Sequence, residues 1–407
     1  MHILLIHQAF AALDEAGGTR HHELARYLVK KGHQITIIAS PVSYLTGKTR
    51  QEHIHWMEKQ SPEAGITILR TYTYSALHRS FVHRIFSFIS FMVSSFLVGM
   101  RVQKIDLVWG TSPPIFQGVT AWLIARLKRV PFLFEVRDLW PAFAIAVGVL
   151  RNRWLIRASL WLERFLYQHA DRVMVNSPGF IDHVLQKGAR QVDLIPNGAA
   201  PEMFQSYTNG SSFRQQNHLE NNFLILYAGA HGMSNDLGIV LQAADLLRTQ
   251  KNIHFILVGD GKEKSRLQAQ AASLNLSNVL FLPPVPKDQM GEILAASNAG
   301  LAILKPLDLY KTTYPNKVFD YMAAGRPVIL AIDGVIRDVV ERAGAGIAVP
   351  PGDPQALARA ASQLASQPEK SREMGIAGKN YITQHFNRQD LAEKLSLLLI
   401  EMRGKHG

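Results

Sequence analysis

Asn316, Lys317 and Asp320 stand in a stretch, residues 314–329, that reads as a polar turn opening a short helix, closed by Gly325 before a buried strand. The free N–H groups at such a helix start, and the positive end of its dipole, favour an anion, and Lys317 adds a full cation there. Tyr314 and Asn316 are expected beside the same anion. Asp320 follows Lys317 by three residues and Asn316 by four. Its carboxylate therefore shares their helix face, where it can accept hydrogen bonds from a ribose diol. A diphosphate next to a ribose means a nucleotide.

Other residues carry chemistry less sharply. Gly17 and Gly18 follow the first apolar run and precede a helix. Paired glycines let backbone approach a diphosphate closely, or simply make a flexible turn. Their spacing is not that of a dinucleotide-binding fingerprint. Glu135, Arg137 and Asp138 lie where the run 132–136 ends, and polar residues at strand carboxyl ends tend to face a ligand crevice. Asp138 is suited to act as a general base or to orient an acceptor hydroxyl, and Arg137 to bind an anionic group. The alternative is an Arg–Asp surface pair. Gly259 and Gly261 flank Asp260 in a turn after another strand, and Val285 sits in the rigid Pro283–Pro286 segment. Both places suit a nucleobase; a tight turn and a structural loop are the plain alternatives. Lys305, at a strand end, is a second candidate cation for the diphosphate or a solvated lysine. Thr312 and Thr313, in a polar loop, are expected beside the sugar of a nucleotide sugar. The 16 histidines do not make a metal site: His21 and His22 are adjacent rather than four apart, and no Asp-x-Asp pair occurs. Neither a metal nor a cofactor is expected.

These residues need a scaffold. Apolar runs of strand length alternate with helical patterns, near residues 3–7, 35–38, 66–70, 107–109, 132–135, 172–175 and 192–195, and again near 224–228, 254–258, 279–282, 300–304, 327–331 and 346–349. Such alternation predicts two doubly wound α/β domains, with ligands in the cleft they face. Ile195-Pro-Asn-Gly198 and the polar segment 205–222 mark the junction. The expected domains are 1–200 and 201–380, followed by a helix over 381–407 packing back near the junction through Leu391, Leu395, Leu398 and Met402.

The chain has 407 residues, 47% hydrophobic and 19% charged, which excludes a disordered protein. Cysteine is absent, which removes disulfides and thiolate chemistry. The formal charge of +12 is uneven: residues 1–200 hold 23 basic against 13 acidic residues, the remainder 21 against 19. The first half is expected to face something anionic. A strand starts directly at Met1, without an export signal's pattern, so a cytoplasmic protein is expected. Residues 85–100 carry no charge and hold Phe86, Phe88, Phe91 and Phe96, short of the ~20 residues of a membrane span. Ser80, Ser87 and Ser94, with His83, Arg84 and Ser90, trace a weakly polar face on this helix. It either covers a sheet or exposes part of itself to lipid. Arg151, Arg153, Arg157 and Arg164 mix with Trp154 and Trp161, as suits an anionic bilayer or a solvated basic face.

Taken in order, Gly17-Gly18, Glu135-Val-Arg-Asp-Leu-Trp-Pro141, Ile195-Pro-Asn-Gly198, Val258-Gly-Asp-Gly261 and residues 315–327 resemble glycosyltransferase family 4, most of all its WbuB-like bacterial members. The resemblance covers nearly the whole chain. It implies the GT-B fold of two Rossmann-like domains, metal independence, and transfer with retention from a UDP-sugar, an N-acetylated hexosamine or deoxyhexosamine, to a lipid-linked saccharide. The setting it implies is surface-polysaccharide assembly (O-antigen, capsule or exopolysaccharide), peripherally at the inner face of the plasma membrane. By position, Gly17 and Gly18 would meet the donor diphosphate, Asp138 the acceptor, and Asp320 the ribose. The chain departs from the pattern at Thr312, where a glutamate is usual, and at Ala230 and Asn235, where an Arg and a Lys are usual. Arg137 stands for the usual acceptor-side histidine, and His231, Lys305 or Lys317 must supply the missing charge. A nucleotide-sugar epimerase on the same fold and a non-catalytic nucleotide-sugar-binding partner of a synthase are the rival readings. Nucleic acid is not an expected partner.

Overall fold

The first six residues show why the strands form where they do: Ile3, Leu4, Leu5 and Ile6 are all fully buried, as only a parallel strand covered on both faces allows. The computed structural model describes residues 1–43, 47, 49, 55–75, 81–204 and 210–405, and of Phe81 and Val82 only the backbone. Ser80 and the 205–209 part of the polar junction segment lie outside the described residues.

In the first sheet, β1 (His2–Ile6), β2 (Gln34–Ala39), β4 (Ile66–Thr71), β5 (Leu107–Ser112), β6 (Phe132–Val136), β7 (Arg172–Val175) and β8 (Val192–Leu194) run parallel, joined at one edge by β3 (Met57–Glu63). The order is β3-β4-β2-β1-β5-β6-β7-β8. The strand β3 has no counterpart in the sequence expectation. Its polar MEKQSPE sequence is mostly exposed and pairs antiparallel with β4, and a solvated edge strand has no apolar run to announce it. The second sheet is all parallel: β9 (Phe223–Ala228), β10 (Ile253–Val258), β11 (Val279–Leu282), β12 (Ala299–Ile303), β13 (Val328–Ala331) and β14 (Gly346–Ala348), ordered β11-β10-β9-β12-β13-β14. The order reverses between β1 and β5 in one sheet and between β9 and β12 in the other. Loops leaving these strands at their carboxyl ends open the crevices in which such sheets bind ligands.

The chain divides into one compact unit of Met1–Ala12, Gly17–Pro196 and Gln389–Gly407, and another of Leu13–Ala16 and Asn197–Arg388. The last helix is Arg388–Gly404; residues 381–385, expected within it, end the preceding Pro368–His385 helix instead. Phe386 and Asn387 separate the two because the Asn387 backbone bridges to Ala199 as an isolated strand pair. The last helix buries Leu391, Leu395, Leu399 and Met402 in the first unit's core with Ile3, Leu5 and Leu28. Arg172–Glu401 and Lys31–Glu393 ion pairs add to it at its surface.

In the Phe81–Arg101 helix the weakly polar face has a definite direction. Ser87, Ser94 and Ser95 are buried, so the weakly polar face turns inward, where Ser94 Oγ donates to the Tyr72 carbonyl at 2.6 Å.

Candidate functional site

In the second unit, the helix Asn316–Ala323 starts behind Pro315, and no side chain caps it. The preceding carbonyl of Tyr314 is held by Asn197 Nδ2 at 2.7 Å, and the Asn316 side-chain oxygen accepts from Arg388 at 3.3 Å. The helix start is thus fixed in place while its first N–H groups stay without a side-chain cap, the arrangement that attracts an anion. No acidic residue sits in its first turn.

Lys317 Nζ lies 3.7 Å from the centre of the Tyr227 ring and has no hydrogen bond or ion pair among the described residues. A cation over an aromatic face is held weakly when nothing else compensates its lost hydration. Burial accordingly lowers the Lys317 ammonium to about 7. Gly229, at the end of β9, has a φ of +149°, and a Cβ there would come within 2.9 Å of Lys317 Nζ. The positive φ favours glycine at this position.

Two glycines expected at the base serve packing first. A Cβ on Gly259 would lie 1.8 Å from the Gly229 oxygen, and one on Gly261 would lie 2.6 Å from the His231 oxygen. The loops after β9 and β10 therefore touch backbone to backbone, pinned by His231 N–H donating to the Asp260 carbonyl at 2.8 Å. His231 itself is fully buried, and neither ring nitrogen has a partner among the described residues. Burial, with Lys264 and Lys317 nearby, lowers its pKa to about 4, so the ring is neutral. Val285 packs against the core of this unit.

Asp320 is not free. Lys287 Nζ binds its Oδ2 at 2.5 Å with both side chains mostly buried, and Asn316 Nδ2 reaches the same oxygen at 3.2 Å. A ribose at Asp320 must share the carboxylate with Lys287, a residue that sequence reasoning missed because the pair spans two elements far apart in the chain. Thr312 and Thr313 do not lie in an open loop. They end a 3₁₀ turn, Asp308–Thr312, and donate their hydroxyls to the Leu309 and Tyr310 carbonyls, so each keeps only acceptor capacity. Tyr314 packs its ring on Phe319 and Phe386, and burial pushes its hydroxyl up to about 12. Lys305 faces a cavity of about 250 Å³ lined also by Gly232, Asp236, Gln242 and Arg266.

In the first unit the expected residues separate into paired and unpaired groups. Glu135 is fully buried, its carboxylate bonded by Arg20 at 3.2 Å, His21 at 2.6 Å and Trp109 at 3.1 Å. Burial works against its charge, but His21 and Arg20 overcome that and hold it at about 2. Arg20 continues to the carbonyls of Ile195 and Pro196, so this cluster clamps the start of the Arg20–Lys30 helix and with it the Gly17–Gly18 loop. A Cβ on Gly17 would meet that of Ala11 at 2.8 Å, whereas Gly18 has nothing within 4 Å. Arg137 donates to the carbonyls of Ser112 and Pro113. It does not form the alternative surface pair with Asp138, whose exposed carboxylate has no hydrogen bond or ion pair among the described residues. The side chain reaches solvent, yet the protein crowded around it raises its pKa to about 6, against the pull of Arg137. Among the described residues no three His, Cys, Asp or Glu side chains are grouped to hold a metal ion.

Residues 209–381 match the family model of glycosyl transferases group 1, and residues 16–198 match that of the glycosyl transferase 4-like domain. Over 321 residues the chain is 26% identical to WcaI of Escherichia coli K12, a glycosyl transferase assigned to colanic acid biosynthesis, covering 76% of this chain and 78% of the relative. Sucrose-phosphate synthase from Thermosynechococcus elongatus superposes with a TM-score of 0.80 at 19% identity, covering 99% of each chain. HepE of Anabaena, solved with UDP-glucose, superposes with a TM-score of 0.72 at 17% identity, covering 98% of this chain and 100% of that one. With most of its length matched by these two models and the two parallel doubly wound sheets described above, the chain belongs to the GT-B glycosyltransferases of family 4.

Proposed function

We propose that this glycosyltransferase takes an N-acetylated hexosamine or deoxyhexosamine from a UDP-sugar and adds it, with retention, to a lipid-linked saccharide during surface-polysaccharide assembly at the inner face of the plasma membrane. One observation carries the donor half of this reading: Lys317, a desolvated cation without a counter-charge, stands at an uncapped helix start, its ammonium so close to Gly229 that a Cβ there would lie 2.9 Å from it. A diphosphate supplies the missing charge to both. Support also comes from relatives, since WcaI is assigned to colanic acid biosynthesis and HepE was solved with UDP-glucose.

In this reading the second unit binds donor. Lys317 and the first N–H groups of its helix take the diphosphate, with Lys305, Asn316 and Tyr314 near it, and His231 stands where the usual cations are missing. Asp320 takes the ribose, the segment of Gly259, Gly261 and Val285 the base, and Thr312 and Thr313 the sugar, now as hydrogen-bond acceptors. The first unit binds acceptor, with Gly17 and Gly18 approaching the diphosphate. The acceptor hydroxyl attacks the anomeric carbon from the face that the diphosphate leaves, the glycosidic C–O bond to the donor breaks, and the hydroxyl proton passes to the departing phosphate oxygen. Groups fixed before the reaction stabilise the charge growing on that oxygen at no reorganisation cost. Asp138 orients the acceptor hydroxyl, and Arg137 steadies the loop that carries it.

Thermal-shift measurements with UDP, GDP, ADP and UDP-sugars test the donor, because stabilisation rises with ligand occupancy. UDP and UDP-N-acetylhexosamines are expected to raise the midpoint most. An equal response to all three nucleotides removes UDP, and no response to any removes the site. Product analysis with a short-chain prenyl diphosphate saccharide then separates transfer from epimerisation, since an extended acceptor is expected and a free epimerised donor overturns the reading.

A further inference from the structure

The Phe81–Arg101 helix is inside out for a surface helix. Ser87, Ser94 and Ser95 are buried, while Phe86, Ile89, Val93 and Leu97 are 57%, 47%, 53% and 42% exposed. Steps of three, four and four residues put these on one stripe, about 16 Å long. Polar contacts hold the inward face: Ser94 bonds Tyr72 and Thr71, and Ser90 Oγ accepts from Tyr74 N–H at 2.9 Å.

The stripe has neighbours. The helix Phe116–Lys128 packs beside it, through Phe88 against Phe116 with ring centres 5.5 Å apart and Lys128 Nζ on the Met100 and Val102 carbonyls. The helix Arg153–His169 follows, through Trp122 against Phe165 at 4.9 Å. On it Trp154 and Trp161 are 76% and 66% exposed, with Leu155 and Leu160 also open. Charge is one-sided over the three helices. The first two contain no acidic residue, and the third contains only Glu163, which is buried on Lys187 and His183. Arg126, Arg153, Arg157 and Arg164 are exposed among them, with Arg157 5.6 Å from the Trp154 ring centre, and Arg151 lies just before the third helix.

We propose that these three helices form one docking face that lies flat on an anionic phospholipid bilayer, with the Phe86–Leu97 stripe in the acyl boundary and the arginines at the headgroups. The proposal deepens the reading of a lipid-linked acceptor and rests on it for its purpose. Apolar side chains ringed by cations, with tryptophan at the edge, match the bilayer interface layer by layer. By length and composition the His83–Arg101 segment is apolar enough to cross a membrane. Crossing would strip the cover from Thr71 and Tyr72 and leave their bonded groups bare in the first sheet. Lying in the plane keeps every one of those bonds. A second copy is disfavoured as the occupant, because a two-fold interface would set this acid-free, arginine-rich face against itself.

Flotation of the whole protein with phosphatidylcholine vesicles, with and without phosphatidylglycerol, tests the face without any turnover. Binding at least about tenfold stronger to the anionic vesicles is expected, weakening with salt. The double variant Ile89→Asp, Val93→Asp should lose most of it, and Trp154→Ala, Trp161→Ala a large part, while the thermal shift with UDP stays as in the parent and shows that each variant is folded. Equal binding to both vesicle types, parent-like binding by both variants, or a dimer in solution that the aspartates dissociate overturns the proposal. Resistance of vesicle-bound protein to alkaline carbonate also overturns it, in favour of a spanning helix. Loss of transfer with vesicle binding intact would sink the function and spare this face.

Discussion

Two charged clusters, one in each unit, are built on opposite rules. Around Glu135 every charge is answered: one carboxylate serves Arg20, His21 and Trp109, and Arg20 goes on to two carbonyls. Around Lys317 the charge is unanswered, with an aromatic face as its partner and a neutral His231 nearby. A desolvated ion without a counter-charge costs stability, and the proposed function gives a reason for keeping this one. The first cluster is architecture that holds a loop, and the second is, in the proposed reading, where the donor diphosphate binds.

The largest test of that contrast is Glu135→Gln. It removes the charge that Glu135 offers Arg20 and His21, and breaking one side of a buried pair costs about 3–5 kcal/mol. The denaturation midpoint of the first unit should fall accordingly; an unchanged midpoint would show the cluster is not structural. Lys317→Ala should do the reverse. Unfolding without ligand should be unchanged or slightly harder, while turnover falls by roughly one to two decades, since charge-assisted contacts contribute about 1.5–3 kcal/mol. Parent-like kinetics would take Lys317 out of the mechanism.

A subtler effect follows from the lowered Lys317 pKa of about 7. Free protein above that pH holds mostly neutral lysine, and a bound diphosphate raises the pKa again, so binding takes up a proton. Affinity for UDP should therefore fall as pH rises above about 7, and calorimetry in buffers of different ionisation enthalpy should register the uptake. Lys317→Arg, always charged, should bind with no uptake from this site; persisting uptake would assign the proton elsewhere. The smallest effect is expected at Gly18, where a methyl group meets nothing within 4 Å. Gly18→Ala should leave stability within about 0.5 kcal/mol, so that a raised donor KM would report approach of ligand to this loop. An unchanged KM would limit the glycine pair to Gly17, whose φ of +154° demands glycine for the backbone alone.

Alternating apolar runs showed all the parallel strands, most of which are buried on both faces and therefore apolar throughout. They did not show β3, whose residues alternate against solvent. The grouping of Asn316, Lys317 and Asp320 was legible because they lie within one helical turn and a half, where spacing alone places side chains. Lys287 on Asp320 and His231 under the Gly259–Gly261 turn were not, since each meets its neighbours through packing of segments far apart in the chain. The serines of the Phe81–Arg101 helix marked a face but not its direction: the hydrogen bonds to Thr71 and Tyr72 that turn it inward come from β4 and the residues just after it.

What the amino-acid order determined by itself was local and periodic: where strands and helices run, that two doubly wound sheets result, and that a cation stands at the start of one helix. Which charges are answered was decided only in three dimensions. Counter-charges such as Arg20 for Glu135 and Lys287 for Asp320 arrive from distant segments, and desolvation depends on everything packed around a group rather than on its neighbours in the chain.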